Sequence, residues 1–490
     1  MPVQFKKTGA ALWRLGAASA MVLLAACGSL PAFQAPQADV PQQWSQTATQ
    51  EQAEDRGMWK AARPADHEAR GAWWRIFNDP ELDALQERAA AANQQLQAGA
   101  ARLQQARTLI DSALSAGRPQ ASAGFGPTRQ RPSPAAAGLP AEANTQPRTL
   151  WRAQADLAWE IDLFGRIGQS AQAASFSAQQ SAALLQSLQL AVQADVASAW
   201  FTLRELDALS ELYRRTVQLR EDGLRLVQRR YDEGDISELD VARARTELAS
   251  ARAELIDLGR RRLEAEHALA VLAGESASSF HVKPRPLERL ALEVPAGLPS
   301  EVLQRRFDVA AAERAVAAAH AQLGVAQSAW FPSLRLNGTA GFEAAELGDL
   351  GKWASRSFLL GPLVGTMLST PLFDGGARQA QERRAGAALD ETVANYRQVV
   401  LQAFQEVEDG LAQVRLIGEQ VQVQDEAVAA SRLAARLSQV QYREGSVSQL
   451  TVIDADRSVL AQQRLSVQLD AQRIRSTIRL IRALGGSWEA

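Results

Sequence analysis

The eleven residues from Tyr231 to Val241 (YDEGDISELDV) and the eleven from Tyr442 to Val452 (YREGSVSQLTV) agree at six positions, at an offset of 442 − 231 = 211. Other pairs follow in the same order at nearly the same offset: Pro119 with Pro332, Leu163-Phe164 with Leu372-Phe373, and Leu272 and Gly274 with Leu484 and Gly486. The period is far too long for a solenoid, so the chain is one unit of about 210 residues built twice. Whatever local structure forms in one half must have a counterpart in the other.

Proline placement locates the long helices, because a proline in a helix interior costs about 3 kcal/mol. Of the 19 prolines, 12 lie at or before Pro147 and 7 between Pro284 and Pro371, leaving 148–283 and 372–490 free of them. In the first of these stretches a 4,3 spacing runs through Val192, Val196, Ala199, Leu203, Leu206, Ser210, Tyr213, Val217, Arg220, Leu224, Val227 and Tyr231, apolar at all positions but Ser210 and Arg220. The second repeats the pattern with Val400, Phe404, Val407, Leu411, Val414, Gly418 and Val421. Sustained heptads predict coiled-coil packing, here on a helix running from about Gly165 to Tyr231, roughly 100 Å at 1.5 Å per residue. Gly234 and Gly445 suit the left-handed turn that ends a helix, and Ser237 and Ser448, three residues on, suit the cap of the next. Each half therefore carries one long antiparallel helical hairpin.

Ahead of the first rod the period changes. Trp151, Ala153, Ala155, Leu157, Trp159, Ile161 and Leu163 alternate with Arg152, Gln154, Asp156, Ala158, Glu160 and Asp162, a strand with one apolar and one polar face. Leu334, Leu336, Gly338, Ala340 and Phe342 alternate likewise in the second half, and weaker candidates are Ala121, Ala123 and Phe125, and 357–372. The last lies in a charge-free run of 17 residues, Ser357 to Phe373, but Gly361, Pro362, Gly365 and Pro371 interrupt it, which favours a strand over a membrane helix. Four strands are too few to close a membrane barrel, which needs about eight. Either several chains share one barrel or the strands form a small soluble sheet. Aromatic residues near the strand ends, Trp151, Trp159, Phe164, Trp330, Phe331, Phe358 and Phe373, suit membrane interfaces and favour the shared barrel.

At the N-terminus Lys6, Lys7 and Arg14 precede an apolar stretch, Leu15 to Ala26, that stops at Cys27, the only cysteine. Twelve residues make only about 18 Å of helix, too short for a bilayer, so this is a signal peptide. Leu24-Ala25-Ala26-Cys27 resembles a bacterial lipobox, which makes Cys27 the lipidation site, and Gly28 rather than aspartate after it points to the outer membrane. The composition excludes other classes. With 53 basic and 55 acidic residues and no long run of one sign, the chain lacks the electrostatic footprint of a nucleic-acid binder. One cysteine and four scattered histidines offer no disulfide framework or local metal motif, no GxSxG, HExxH or phosphate-binding glycine loop occurs, and neither a cofactor nor an enzymatic activity is expected.

Several motifs together resemble the TolC/OprM-like outer membrane factors, in their lipoprotein branch (NodT-type efflux outer membrane subunits). They are Trp73 to Leu82 (WWRIFNDPEL), Gly297 to Arg305 (GLPSEVLQR), Trp330 to Leu334 (WFPSL), Pro371 to Gly376 (PLFDGG), the hairpin at Gly445, and Ala483 to Trp488 (ALGGSW). One departure is Phe307, where the family commonly has a proline before the aspartate that is Asp308 here. The likeness implies a mainly α chain with a membrane β-barrel: a duplicated strand-strand-long-helix-hairpin repeat, four strands per chain, a trimeric twelve-stranded barrel continued by an α-helical tunnel. Expected divisions are a signal peptide at 1–26 and a lipidated segment at 27–75. A first repeat at 76–285 has strands at about 119–128 and 150–163 and its tip at 232–237. A second at 286–490 has strands at about 333–343 and 357–372 and its tip at 443–448. The implied function is a passive conduit in the cell outer membrane, reaching into the periplasm, for small molecules expelled by an inner-membrane transporter through a periplasmic adaptor. Expected partners are two further copies of the chain, that adaptor, that transporter and outer membrane lipid.

The resemblance also places roles at the tips. Leu450 and Asp454, four residues apart on one helix face, match the family's periplasmic gate, an apolar and an acidic ring about a three-fold axis. Arg243, the first-repeat equivalent of Asp454 (454 − 211), and Asp240 are expected to make gate-stabilising contacts with the neighbouring inner hairpin. Tyr231, Glu233, Gly234, Tyr442, Glu444 and Gly445 are the expected outward-facing adaptor contacts. For the gate positions the alternative is a plain solvated helix face, since Arg245, Asp456 and Arg457 lie nearby. At the level of function the alternatives are an outlet for type I protein secretion and a non-channel coiled-coil envelope lipoprotein.

Overall fold

A computed structural model describes residues 33, 34, 36, 44, 71–290, 305–360, 368–370 and 372–486. Cys27, the signal peptide and most of 27–75 lie outside the described residues, as do 297–304 and Trp488.

The duplication is exact at the helix ends. Helices α1 (Pro80–Ala92) and α2 (Gln94–Ser115) are followed by strands β1 (Gln120–Gln130) and β2 (Arg148–Ile161), then α3 (Arg166–Asp232) and α4 (Glu238–Leu272). The second series is α5 (Phe307–Ser328), β3 (Ser333–Ala344), β4 (Arg356–Leu360), β5 (Leu368–Ser369), α6 (Ala377–Arg443) and α7 (Gln449–Ala483). Helices α3 and α6 have 67 residues each and α4 and α7 have 35 each. All four of their starts and ends differ by 211 (166 to 377, 232 to 443, 238 to 449, 272 to 483). At 213, α2 and β1 begin as α5 and β3 do. Phe307 opens α5 without the family's proline. Arg306 before it is buried and held by the Asp308 carboxylate (3.0 and 2.6 Å) and the Ala483 carbonyl (2.9 Å).

The chain divides into two compact units, the division falling within α2, α3, α5 and α6. The first (residues 1–36, 104–180 and 313–395) holds the sheet, antiparallel throughout and ordered β1-β2-β3-β4, with β5 also paired to β3. The expected strand at 357–372 is thus two short pieces on the same neighbour, and 361–367 between them lie outside the described residues. Register sorts the faces as the alternation demands. Phe125 lies opposite Ala153, Leu157 opposite Gly338 and Trp159 opposite Leu336, while Arg152 faces Glu343 and Asp156 faces Thr339. The apolar face is uncovered: Phe125 is 65 % exposed and Leu157 51 %. At its margins Phe125 stacks on Trp151 (5.9 Å) and Phe164 on Phe331 (4.9 Å).

The second unit (37–103, 181–312 and 396–490) holds the hairpins and the main core. Trp73, Phe77, Leu82, Leu85, Val196, Trp200, Leu203, Leu269, Ile474 and Ile478 pack as one cluster. The WWRIFNDPEL motif serves this core: Asp79 caps α1, accepting from the Glu81 (3.1 Å) and Leu82 (3.4 Å) amides, with Pro80 at the first turn. The same carboxylate accepts from Trp200 Nε1 (2.9 Å) and from Arg285, tying the motif to α3 and to the segment after α4. Of the twelve seam positions on α3 only Tyr231 is exposed, and none of the seven on α6 is.

Candidate functional site at the hairpin tips

Both rods end by the same hydrogen bonds. At the first tip the Gly234 amide donates to the Tyr231 carbonyl (2.9 Å) and the Asp235 amide to the Arg230 carbonyl (2.9 Å). At the second, Gly445 donates to Tyr442 (3.1 Å) and Ser446 to Gln441 (2.8 Å). Gly234 (φ 82°) and Gly445 (φ 75°) hold the left-handed conformation that closes such a motif, which a side chain strains. Ser237 and Ser448 take the extended N-cap conformation, but the tips differ in chemistry. Asp240 accepts from the Ser237 amide (3.4 Å) and hydroxyl (2.9 Å), whereas its equivalent Thr451 is 3.4 Å, hydroxyl to hydroxyl, from Ser448.

Tyr231, Glu233, Gly234, Glu444 and Gly445 are exposed. Tyr442 differs: it is half-buried, its ring lies under the Arg230 guanidinium (5.2 Å), and its hydroxyl is buried without a hydrogen-bond partner. It faces the first hairpin rather than outward.

Leu450, 40 % exposed, and Asp454 share an open face of α7, consistent with their spacing. Asp454 accepts from Arg457 Nη1 (3.2 Å), and Arg457 Nε donates across to Glu247 of α4 (3.0 Å). The Glu247 side chain, only 12 % exposed, also accepts from Arg220 of α3. This chain of charges, Asp454–Arg457–Glu247–Arg220, links the two hairpins. Burial and the nearby Arg457 charge lower the Arg220 pKa, while burial raises that of Asp456 against a hydrogen bond from Gln439 and the Arg220 charge. Within α4, Arg243 and Asp240 lie against each other, Nη1 to Oδ1 3.7 Å. Sequence reasoning missed Glu247. One helical turn beyond Arg243, it was within reach of the same face argument.

Among the described residues no His, Cys, Asp and Glu side chains are grouped to hold a metal ion, and no helix is long and apolar enough to cross a membrane.

The family described as outer membrane efflux protein matches residues 85–275 and 298–486. The chain belongs to that family. Curated relatives of this outer membrane efflux protein include the antibiotic efflux pump outer membrane protein ArpC of Pseudomonas putida, 32 % identical over 95 % of this chain and 94 % of the relative. The pyoverdine export outer membrane protein OpmQ of Pseudomonas aeruginosa is 31 % identical over 96 % of each. Among solved structures, the outer-membrane channel OprN superposes with a TM-score of 0.81 at 29 % identity, covering 94 % of this chain and all of that one. The open-state MtrE outer membrane channel of Neisseria gonorrhoeae gives 0.74 at 26 %, over 94 % and 98 %. The outer membrane efflux protein is therefore a channel component of an efflux pump in the outer membrane, and its family is not one of enzymes.

Proposed function

We propose that three copies of this chain form the outlet of a tripartite efflux system, a passive conduit fed by an inner-membrane transporter through a periplasmic adaptor. The observation that carries the reading is the open sheet. Its apolar face is bare, and its outer strands leave backbone groups that lipid would not satisfy. Three such sheets make a twelve-stranded barrel in which every edge is paired, within the size range of membrane barrels. The rods support the same reading, since they carry a second apolar stripe that their own chain leaves uncovered. Leu219 and Leu226 of α3, Ile256 and Leu263 of α4, and Leu416 and Val423 of α6 recur at seven-residue spacing and are exposed. A helix with a seam on each side suits a closed ring of helices, with neighbours on both flanks.

Acyl chains on Cys27 would hold the mature N-terminus at the outer membrane. Leu450 and Asp454 are the narrowing at the periplasmic end, where three carboxylates converge and respond to salt. Arg457 and Glu247 hold each inner hairpin against its outer one, and Asp240 and Arg243 make gate-stabilising contacts with the neighbouring inner hairpin in the assembly. Exposed Tyr231, Glu233, Gly234, Glu444 and Gly445 are the adaptor surface, with Tyr442 set behind them. Relatives named for the export of antibiotics, toluene and pyoverdine point to small organic molecules as cargo.

Planar-bilayer recording tests the proposal. The purified protein should give discrete channels, and Leu450→Ala with Asp454→Ala should raise their conductance. Absence of any channel from correctly folded protein contradicts the conduit, and unchanged conductance in the double variant removes the gate from these two positions.

A further inference from the structure

The polar face of the sheet carries charge in a ladder. On β2 the charged residues fall every fourth position, Arg148, Arg152, Asp156 and Glu160, so they share one face and meet alternate polar-face positions of the neighbouring strand β3. Arg152 lies directly opposite Glu343 and donates to it at 2.7 Å. Glu160 lies opposite Arg335 and accepts from it at 3.2 Å, and from Arg166 of α3 at 3.1 Å, beyond which Asp162 adds a second carboxylate. Between these two compensated rungs stands Asp156, opposite Thr339, whose hydroxyl donates to it at 2.7 Å. A hydroxyl orients the carboxylate and leaves its charge in place. The intervening rungs, Gln154 with Gly341 and Ala158 with Asn337, are uncharged. On β1 the residues facing Asp156, Gln154 and Arg152 are Ser122, Gly124 and Gly126, which add no charge and little bulk. The remaining charge on this face, Arg148, stands at the other end of β2, eight residues or about 26 Å away.

We infer that Asp156 is a selectivity-determining residue of the barrel. Its carboxylate is the uncompensated charge at mid-height of the lumen, repeated in each copy, and it favours cationic and zwitterionic solutes over anionic ones. The inference rests on the reading of this face as the lumen of a shared barrel. The compensated rungs are about 13 Å to either side, beyond one Debye length at physiological salt, so their dipoles do not cancel the field of Asp156. The paired rungs also explain how a face with three arginines and three acidic residues keeps a sign of its own: each arginine within 13 Å of Asp156 is neutralised in place.

The test uses the full-length protein in outer membranes, with a reporter thiol at Asn337→Cys, an exposed position about 7 Å along β3 from Thr339. The reagents are a trimethylammonium-bearing and a sulfonate-bearing methanethiosulfonate. Rates are referred to those with a free thiol, and the parent chain, whose one cysteine is Cys27, is the blank. The expected result is a preference for the cationic reagent that falls about two- to fourfold at 0.1 M salt when Asp156→Asn is added, and that shrinks at 1 M. Glu343→Gln, which strips Arg152 of its partner and so adds an uncompensated cation to the same face, should lower the ratio in the same direction. A ratio that neither Asp156→Asn nor salt changes overturns the assignment of Asp156. A thiol at 337 that neither reagent reaches overturns the lumen reading itself, which separates the two failures.

Discussion

At the first hairpin tip a single carboxylate, Asp240, closes the start of α4 through Ser237, and at the second tip Thr451 occupies its place. Replacing Thr451 by aspartate should rebuild the capping box and stabilise the start of α7 by about 0.5–2 kcal/mol. Slower amide exchange at residues 449–452 would register it, and unchanged exchange would mean that another contact already holds this turn. At the proposed gate the residue to test is Glu247, since two arginines converge on it. Glu247→Gln leaves Arg220 and Arg457 facing each other across a half-buried site, and breaking such a pair from one side costs more than the pair contributes. The variant should therefore open more readily than Asp240→Ala or Arg243→Ala, whose mutual contact within the chain stays in α4, and bilayer conductance ranks the three. Equal conductance in all of them would remove the link between hairpins from the closed state.

At the scale of elements, the rods were legible because their signals are long and redundant. Proline-free stretches, a heptad over twelve positions and paired tip glycines all specify the same hairpin, and the second copy repeats each. Leu203 at the seam is fully buried, so Leu203→Ala should destabilise this unit by about 2–5 kcal/mol, visible as earlier loss of helix on heating. The fourth strand was less legible: Gly361, Pro362 and Gly365 interrupt its alternation, and the register on β3 indeed changes between Arg356–Leu360 and Leu368–Ser369. Side-chain direction was the other gap. Tyr442 and Tyr231 are equivalent in sequence, yet only Tyr442 has a guanidinium from the other hairpin to lie under, and periodicity carries no such information. The segment after α4 showed no pattern at all. It is fixed by side chains from distant positions, as where Arg289 grips Asp425 (2.8 and 2.7 Å) and Asp470 (2.9 Å). The Arg289 hydrogen bond holds the Asp425 carboxyl below its ordinary value, so its favourable contribution is present at neutral pH and is lost as pH falls through that lowered value.

The whole molecule is explained by what one chain leaves unfinished: a four-strand sheet with bare apolar face and open edges, and rods with a second uncovered seam. A charge placed on that seam, as in Val423→Lys, touches nothing in its own chain's core. It should leave helix content intact while preventing assembly, a separation that size-exclusion chromatography beside circular dichroism would reveal. The most direct measurement is native mass spectrometry of the mature protein released from mild detergent. Our account predicts particles of three chains and no folded single chain. A monomer that stays folded and soluble without detergent, with its strand edges covered by its own residues, would contradict it.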